Sequence, residues 1–190
     1  MRLILATLGL ALAVGYLVGG RAAGLVAARL RWWWLAFAGL ALQLLPLSGT
    51  PGFVVLVASF VLLVAFCAAN LRAPGLWLIA LGLSANLVVI AANRGMPVTR
   101  EALVASGQGE TLRALRLEGG AKHHLADRDD ELLPLADVIP LGPPIRQTIS
   151  VGDVLVHAGA FWFVVASMRR ARSTRTRGSR VAGKGGRGGI

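Results

Sequence analysis

The chain has 190 residues, of which 55 % are hydrophobic and only 15 % charged, with a net charge of +11. An average soluble domain carries roughly 25 % charged residues, so an ordinary soluble globule is excluded, and the single cysteine, Cys67, excludes an intrachain disulfide. The charge is also segregated: all nine acids fall between Glu101 and Asp153, and eight of the twenty basic residues follow Met168.

Ionised side chains are costly at a bilayer centre, so the uncharged intervals mark where the chain can cross. Eighteen uncharged residues separate Arg2 from Arg21, forty separate Arg31 from Arg72, and twenty-one separate Arg72 from Arg94. The forty-residue run contains Pro46-Leu47-Ser48-Gly49-Thr50-Pro51-Gly52, a turn signal that divides it into a hairpin. Its length suits two full crossings of ~20 residues better than a re-entrant pair. A last apolar run lies at 148–168. The first run exceeds the ~7–15 residues of a signal-peptide core and lacks a clear cleavage site, so it is expected to be retained.

The sequence therefore predicts an all-α integral membrane protein with five transmembrane helices. Residues 1–92 form a four-helix part with spans at about 3–20, 32–47, 53–71 and 75–92. A 55-residue outer loop follows at 93–147, then the fifth helix at 148–168 and a disordered polybasic tail at 169–190. Arg21, Arg29, Arg31, Arg72 and the tail would share one side, which the positive-inside rule makes the cytoplasm. The order is N-out, C-in, in a bacterial plasma membrane, with Trp32, Trp33 and Trp34 as an interfacial anchor. Gly15 and Gly19 form a GxxxG step suited to close helix packing. Gln43, Ser59 and Ser84 are expected to make interhelical hydrogen bonds, and Asn70 to do so or to sit at the interface.

Several short stretches have a familiar look: the opening Arg-Leu, Gly19-Gly20-Arg21, Asn93-Arg94-Gly95-Met96-Pro97-Val98, Lys122-His123-His124-Leu125, Asp137-Val138-Ile139-Pro140-Leu141 and Ser150-Val151-Gly152-Asp153-Val154. In these, over roughly 1–168, the chain resembles a family of small, largely actinobacterial membrane proteins of unknown function. The resemblance implies an integral membrane protein and carries no chemistry with it.

In the outer loop, Thr99 can cap a short helix running to Gly107, and a second helix is expected over Glu110–Glu118. The rest of the loop reads as irregular. His123, His124, Asp127 and Asp137 are the candidate metal ligands, since imidazole with carboxylate suits zinc, manganese or iron. The string Asp127-Arg128-Asp129-Asp130-Glu131 lacks the glycine of a calcium loop, however, and no HExxH is present. No cofactor is expected.

Asp153 and His157 lie four apart and share a helix face, as Asn86 and Asn93 do seven apart. These four are the candidate polar pocket at the outer leaflet, because intramembrane polar groups default to functional sites. A plainer role fits them too, with Asp153 capping its helix and His157 packed in the bundle.

The tail holds Gly178–Lys184 in a GxxxxGK spacing, but Gly185 stands where a phosphate loop needs Ser or Thr. Arg169, Arg170, Arg172, Arg175, Arg177 and Arg180 are instead expected to contact anionic lipid headgroups at the inner surface. Nucleic acid is not expected, since no aromatic residue follows Phe163. With no complete catalytic motif, the chain reads as a non-catalytic accessory or organising membrane subunit, partnered by another membrane protein or by its own copies. The alternative is a membrane enzyme or small-molecule transporter built on the outer pocket.

Overall fold

The computed structural model describes residues 2–120 and 122–182, with backbone alone at 118 and 171–182. In chain order the helices are α1 (Arg2–Leu17), α2 (Ala23–Val26), α3 (Trp33–Leu42), α4 (Gly49–Ala69) and α5 (Leu76–Asn93). A lid follows, made of β1 (Met96–Val98), α6 (Arg100–Ala105), α7 (Gly109–Glu118), β2 (His123–Leu125), a 3-10 turn at Leu133–Leu135, β3 (Ile139–Leu141) and β4 (Gln147–Ile149). The last helix is α8 (Val151–Ala182).

Three helices are long and apolar enough to cross a membrane: α4, α5 and the Val151–Arg170 part of α8. At ~1.5 Å per residue each is about 30 Å long, the thickness of a hydrocarbon core. The other two apolar helices are shorter. α1 has 16 residues and α3 only 10, so α3 reaches ~15 Å, about half a bilayer core. The crossing expected at 32–47 is thus helical only over Trp33–Leu42. The proline-glycine turn is also shifted, because Gly49-Thr50-Pro51-Gly52 opens α4 and the connection is 43–48. A proline in a first helical turn forfeits no intrahelical hydrogen bond, which allows the helix to start before it.

The helices pack in a row, α3 on α4, α4 on α5, α5 on α8, and α8 on α1. The tightest seam is α5 against α8, where glycines let backbone meet backbone. A Cβ on Gly82 would run into the Gly152 carbonyl, and one on Gly75 or Gly159 into the other's backbone. Gly75 also has φ +77, a conformation that favours glycine. The GxxxG step of α1 is used differently. Gly15 accommodates the Met168 side chain of α8, and Gly19, at φ +78, ends the helix. The Arg21 amide then donates to the Met168 carbonyl at 2.9 Å, and Gly24 rests on the Ser167 backbone, fixing α2 to α8.

The lid corrects one expectation. Thr99 caps α6 by accepting from the Ala102 amide, and α7 covers the second expected helix. The remainder, expected to be irregular, contains strands. β1 and β2 pair in parallel (Met96 with His123, Val98 with Leu125), and β3 and β4 pair antiparallel (Ile139 with Ile149). Three-residue strands are too short to show alternation, so the pattern gave no sign of them. Under the lid, Leu56, Val89, Ile90, Met96 and Ala136 form one buried cluster, joining α4 and α5 to β1.

Gly82→Ala is expected to destabilise the protein by about 1–3 kcal/mol, the usual range for overpacking a tight contact. Gly9→Ala is the control, as nothing lies within 4 Å of its Cβ position. Thermal unfolding midpoints in detergent, compared between the two variants, check this.

Candidate functional site

The half-length of α3 creates an electrostatic problem. A helix end leaves up to four carbonyls without intrahelical partners; here the amides of Gln43, Leu44 and Leu45 take those of Leu40, Ala41 and Leu42, which leaves the Gln43 carbonyl. Gln43, the residue after α3, donates from its side-chain amide to the Ser59 hydroxyl at 3.2 Å, and Ser59 itself donates to the Leu56 carbonyl. The expected interhelical bonds of Gln43 and Ser59 are therefore made to each other. The Gln43 carbonyl accepts from the Lys122 ammonium, delivered from the lid just before β2. A cation at the negative end of a helix is favourable, and more so where water is scarce.

Around this contact lies a chamber of about 140 Å³, with Gln43, Asn86, Lys122, His123, Asp137 and Asp153 as its polar lining. Leu56, Phe60, Ile90 and Met96 supply the apolar wall. A second cavity of about 230 Å³, toward α7, Gln147 and Thr148, shares two lining residues with the first, His123 and Asp137. These two side chains form the partition. Their nearest atoms, His123 Nε2 and Asp137 Oδ2, are 3.7 Å apart, beyond hydrogen-bonding reach.

The carboxyls are held in different ways. Asp153 Oδ1 accepts from the Asn86 amide at 2.8 Å, and its Oδ2 accepts from the Ser150 amide at 3.1 Å. Ser150 donates its hydroxyl to Asn86 Oδ1 and accepts from the Asp153 amide, closing a ring between α5 and the start of α8. Asp153 thus caps its helix and faces the chamber at once. Asp137 sits on a backbone bridge to β1, its amide donating to the Pro97 carbonyl at 3.1 Å. Its side chain is buried, and Oδ1 has no hydrogen-bond partner. Burial, with the neighbouring charge of Asp153, pushes the Asp137 carboxyl up to about 8, so at neutral pH it keeps its proton. His123 moves the opposite way. Burial of the ring within the partition lowers its affinity for a proton, Asp153 raises it, and Lys122 and His124 lower it further. Its side chain is still 51 % exposed, which limits that shift.

Of the four pocket residues expected from sequence, Asn86 and Asp153 meet in the chamber, and Asn93 and His157 do other work. Asn93 clamps the lid, donating to the Val89 and Glu131 carbonyls and accepting from the Glu131 amide. His157 Nδ1 lies 2.7 Å from the Asp153 carbonyl oxygen, and its buried Nε2 has no partner. The metal candidates divide as well. His123 and Asp137 form the partition, whereas His124 Nε2 lies 2.8 Å from Asp130 Oδ1. Asp130 Oδ2 accepts from the Asp127 amide, and Asp127 Oδ1 from the Asp129 amide, a self-contained acidic turn. No three His, Cys, Asp or Glu side chains converge to hold a metal among the described residues. Sequence reasoning missed Gln43 and Lys122. The position of Lys122, just before the paired histidines in a stretch already singled out, was the one available signal.

The fold and site define a mostly helical protein with membrane-length apolar helices and a lidded polar chamber at one end of the bundle. The chain belongs to a family of unknown function (DUF5317), which its residues 27–165 match. It is also 35 % identical over 131 residues to an uncharacterized protein of Thermotoga maritima, covering 67 % of this chain and 70 % of that one. No solved structure matches it.

The raised Asp137 gives a pH signature. Unfolded, an aspartate loses its proton near 4, and folded it holds the proton to about 8, so between these values the folded state binds more protons. Its stabilising contribution is complete below the lower value and lost as pH rises through the upper one. Thermal midpoints of the wild type should therefore fall from pH 4 toward 8, and Asp137→Asn should flatten that slope.

Proposed function

We propose that the protein is a multi-pass membrane protein whose lidded chamber binds a small neutral or zwitterionic polar ligand at the outer membrane surface. The observation that carries this reading is the half-helix. Non-helical backbone at membrane depth is tolerated where it is buried in protein or lines a cavity, and broken helix ends mark binding sites in membrane transporters. Here the end of α3 opens on a chamber whose polar groups come from five separate segments. Lys122 and Asp153 offer opposite charges, Asn86 and Gln43 offer amides, and His123 with protonated Asp137 offers a proton acceptor and donor. Such a lining matches a zwitterion or a polar neutral molecule better than a strong anion or cation. The volume, equal to roughly five waters, suits a small molecule.

The supporting topology is five crossings, N-out and C-in, with α1 and the α3–connection segment completing the row. The short N-terminus, the 43–48 connection and the lid then share the outer side, and the positive residues lie inside. Reporters fused after Arg187 and inserted near Gly119-Gly120 should read opposite sides. Reports from one side would remove the outer-surface placement.

The ligand reading is tested by small-molecule mass spectrometry of the purified protein. Wild type should retain a compound that Lys122→Ala and Asp153→Asn each deplete by about tenfold or more, the effect of losing a charged hydrogen-bond partner. If both variants co-purify with the same small molecules as wild type and leave every cellular phenotype unchanged, the chamber is structural. The accessory-subunit reading then takes its place.

A further inference from the structure

At the end of the bundle opposite the lid, a cleft of about 620 Å³ is lined by Arg29, Arg31, Arg72 and Arg170, with Asn70 and Ala73 at its base. A second cavity of about 260 Å³ shares Arg29, Ala73 and Arg170 with it and continues along the apolar wall of Pro74 and Phe163. From these we propose a binding site for a phosphate group, in the cleft that Arg29, Arg31 and Arg72 line. It is separate from the lidded chamber and does not rest on that reading.

Three arginines from two connections do not gather here by accident of sequence. Asn70 ends α4 and accepts from the Arg31 amide at 2.8 Å, while its own amide group donates to the Arg31 and Phe66 carbonyls at 2.8 Å each. One buried side chain thus ties the α2–α3 connection to the end of α4. The Ala73 amide donates to the Asn70 carbonyl at 2.8 Å, closing a tight turn that carries Arg72 beside Arg31. Arg29, on the same connection as Arg31, is positioned by α2, which Gly24 and Arg21 fix to α8.

The electrostatics are one-sided. Every acidic side chain lies between Glu101 and Asp153, and Asp153, in the first turn of α8, is roughly 25 Å along that helix from Arg170. Like charges held together repel, and an anion between them reverses the sign of that energy. Guanidinium forks match phosphate oxygens in pairs, which makes phosphate the chemistry of best fit. The adjoining apolar cavity leaves room for the carbon groups of a phosphodiester. Two sources supply such a group, a phospholipid of the facing leaflet or a soluble phosphate.

The test uses the full chain, tail included, in a neutral detergent, with phosphatidylglycerol or phosphatidylcholine titrated in and retained lipid read by native mass spectrometry. The comparison is with Arg29→Gln/Arg31→Gln/Arg72→Gln. Wild type is expected to retain phosphatidylglycerol about tenfold better than the triple variant, with no such difference for phosphatidylcholine. Millimolar inorganic phosphate that displaces the lipid assigns the soluble source, and resistance to displacement assigns the lipid. Equal retention of phosphatidylglycerol by both proteins overturns the site and leaves the tail as the origin of any binding. Should the triple variant fail to fold, Arg31→Gln and Arg72→Gln separately are each expected to lower retention about twofold or more, and no change in either overturns it.

Discussion

A peptide carbonyl inside an apolar bundle has to find a donor, and that requirement at the end of α3 organises the lidded half of the protein. A helix of 10 residues stops short, and the amides of Gln43, Leu44 and Leu45 take up the carbonyls of Leu40, Ala41 and Leu42. The Gln43 carbonyl that follows is met by Lys122, which is delivered from outside the helical row. The lid is the delivery device. Once a cation is present at that depth, further polar groups can be held there, and Asn86, Asp137 and Asp153 occupy the same space.

The α5–α8 seam supplies the second constraint. Glycines at 75, 82, 152 and 159 let the two backbones approach closely, with the Asn86 side chain seated against Gly152. That closeness sets the distance from Asn86 to Asp153 and Ser150, so the hydrogen-bonded ring across the seam follows from the packing. The polar ring and the glycine contact are two descriptions of one interface. A fixed carboxyl at the head of α8 is the result, and its charge is one reason that Asp137 holds a proton.

The three long apolar helices were legible in the sequence because uncharged runs between arginines have a physical meaning in lipid. Thr99 as a cap and the helix after Gln108 were legible for local reasons. The shortening of α3 was only partly legible: Pro46 cannot donate to the Leu42 carbonyl, where the helix ends, but the apolar run before it carries no other stop signal. Asn86 and Asp153, grouped by face matching, line one cavity in the structure. Other lining residues come from the lid, whose parallel pairing of β1 with β2 joins residues far apart in the chain, a kind of contact that periodicity does not reveal. Asn93 was drawn into the pocket by spacing alone, and its carboxamide is occupied by the backbone of Glu131 instead. The stretches on which the family resemblance rests nonetheless meet largely around this one chamber, Met96, Lys122, His123, Asp137 and Asp153 among them.

The parallel ladder has a mechanical side. β1 continues almost directly from α5, and β2 follows Lys122 immediately, so the ammonium is anchored through three paired residues to the same helix that carries Asn86. Displacing β2 from β1 would break that ladder and take the Lys122 donor from the Gln43 carbonyl in a single motion. The register of β2 against β1 therefore sets where the Lys122 ammonium meets the Gln43 carbonyl.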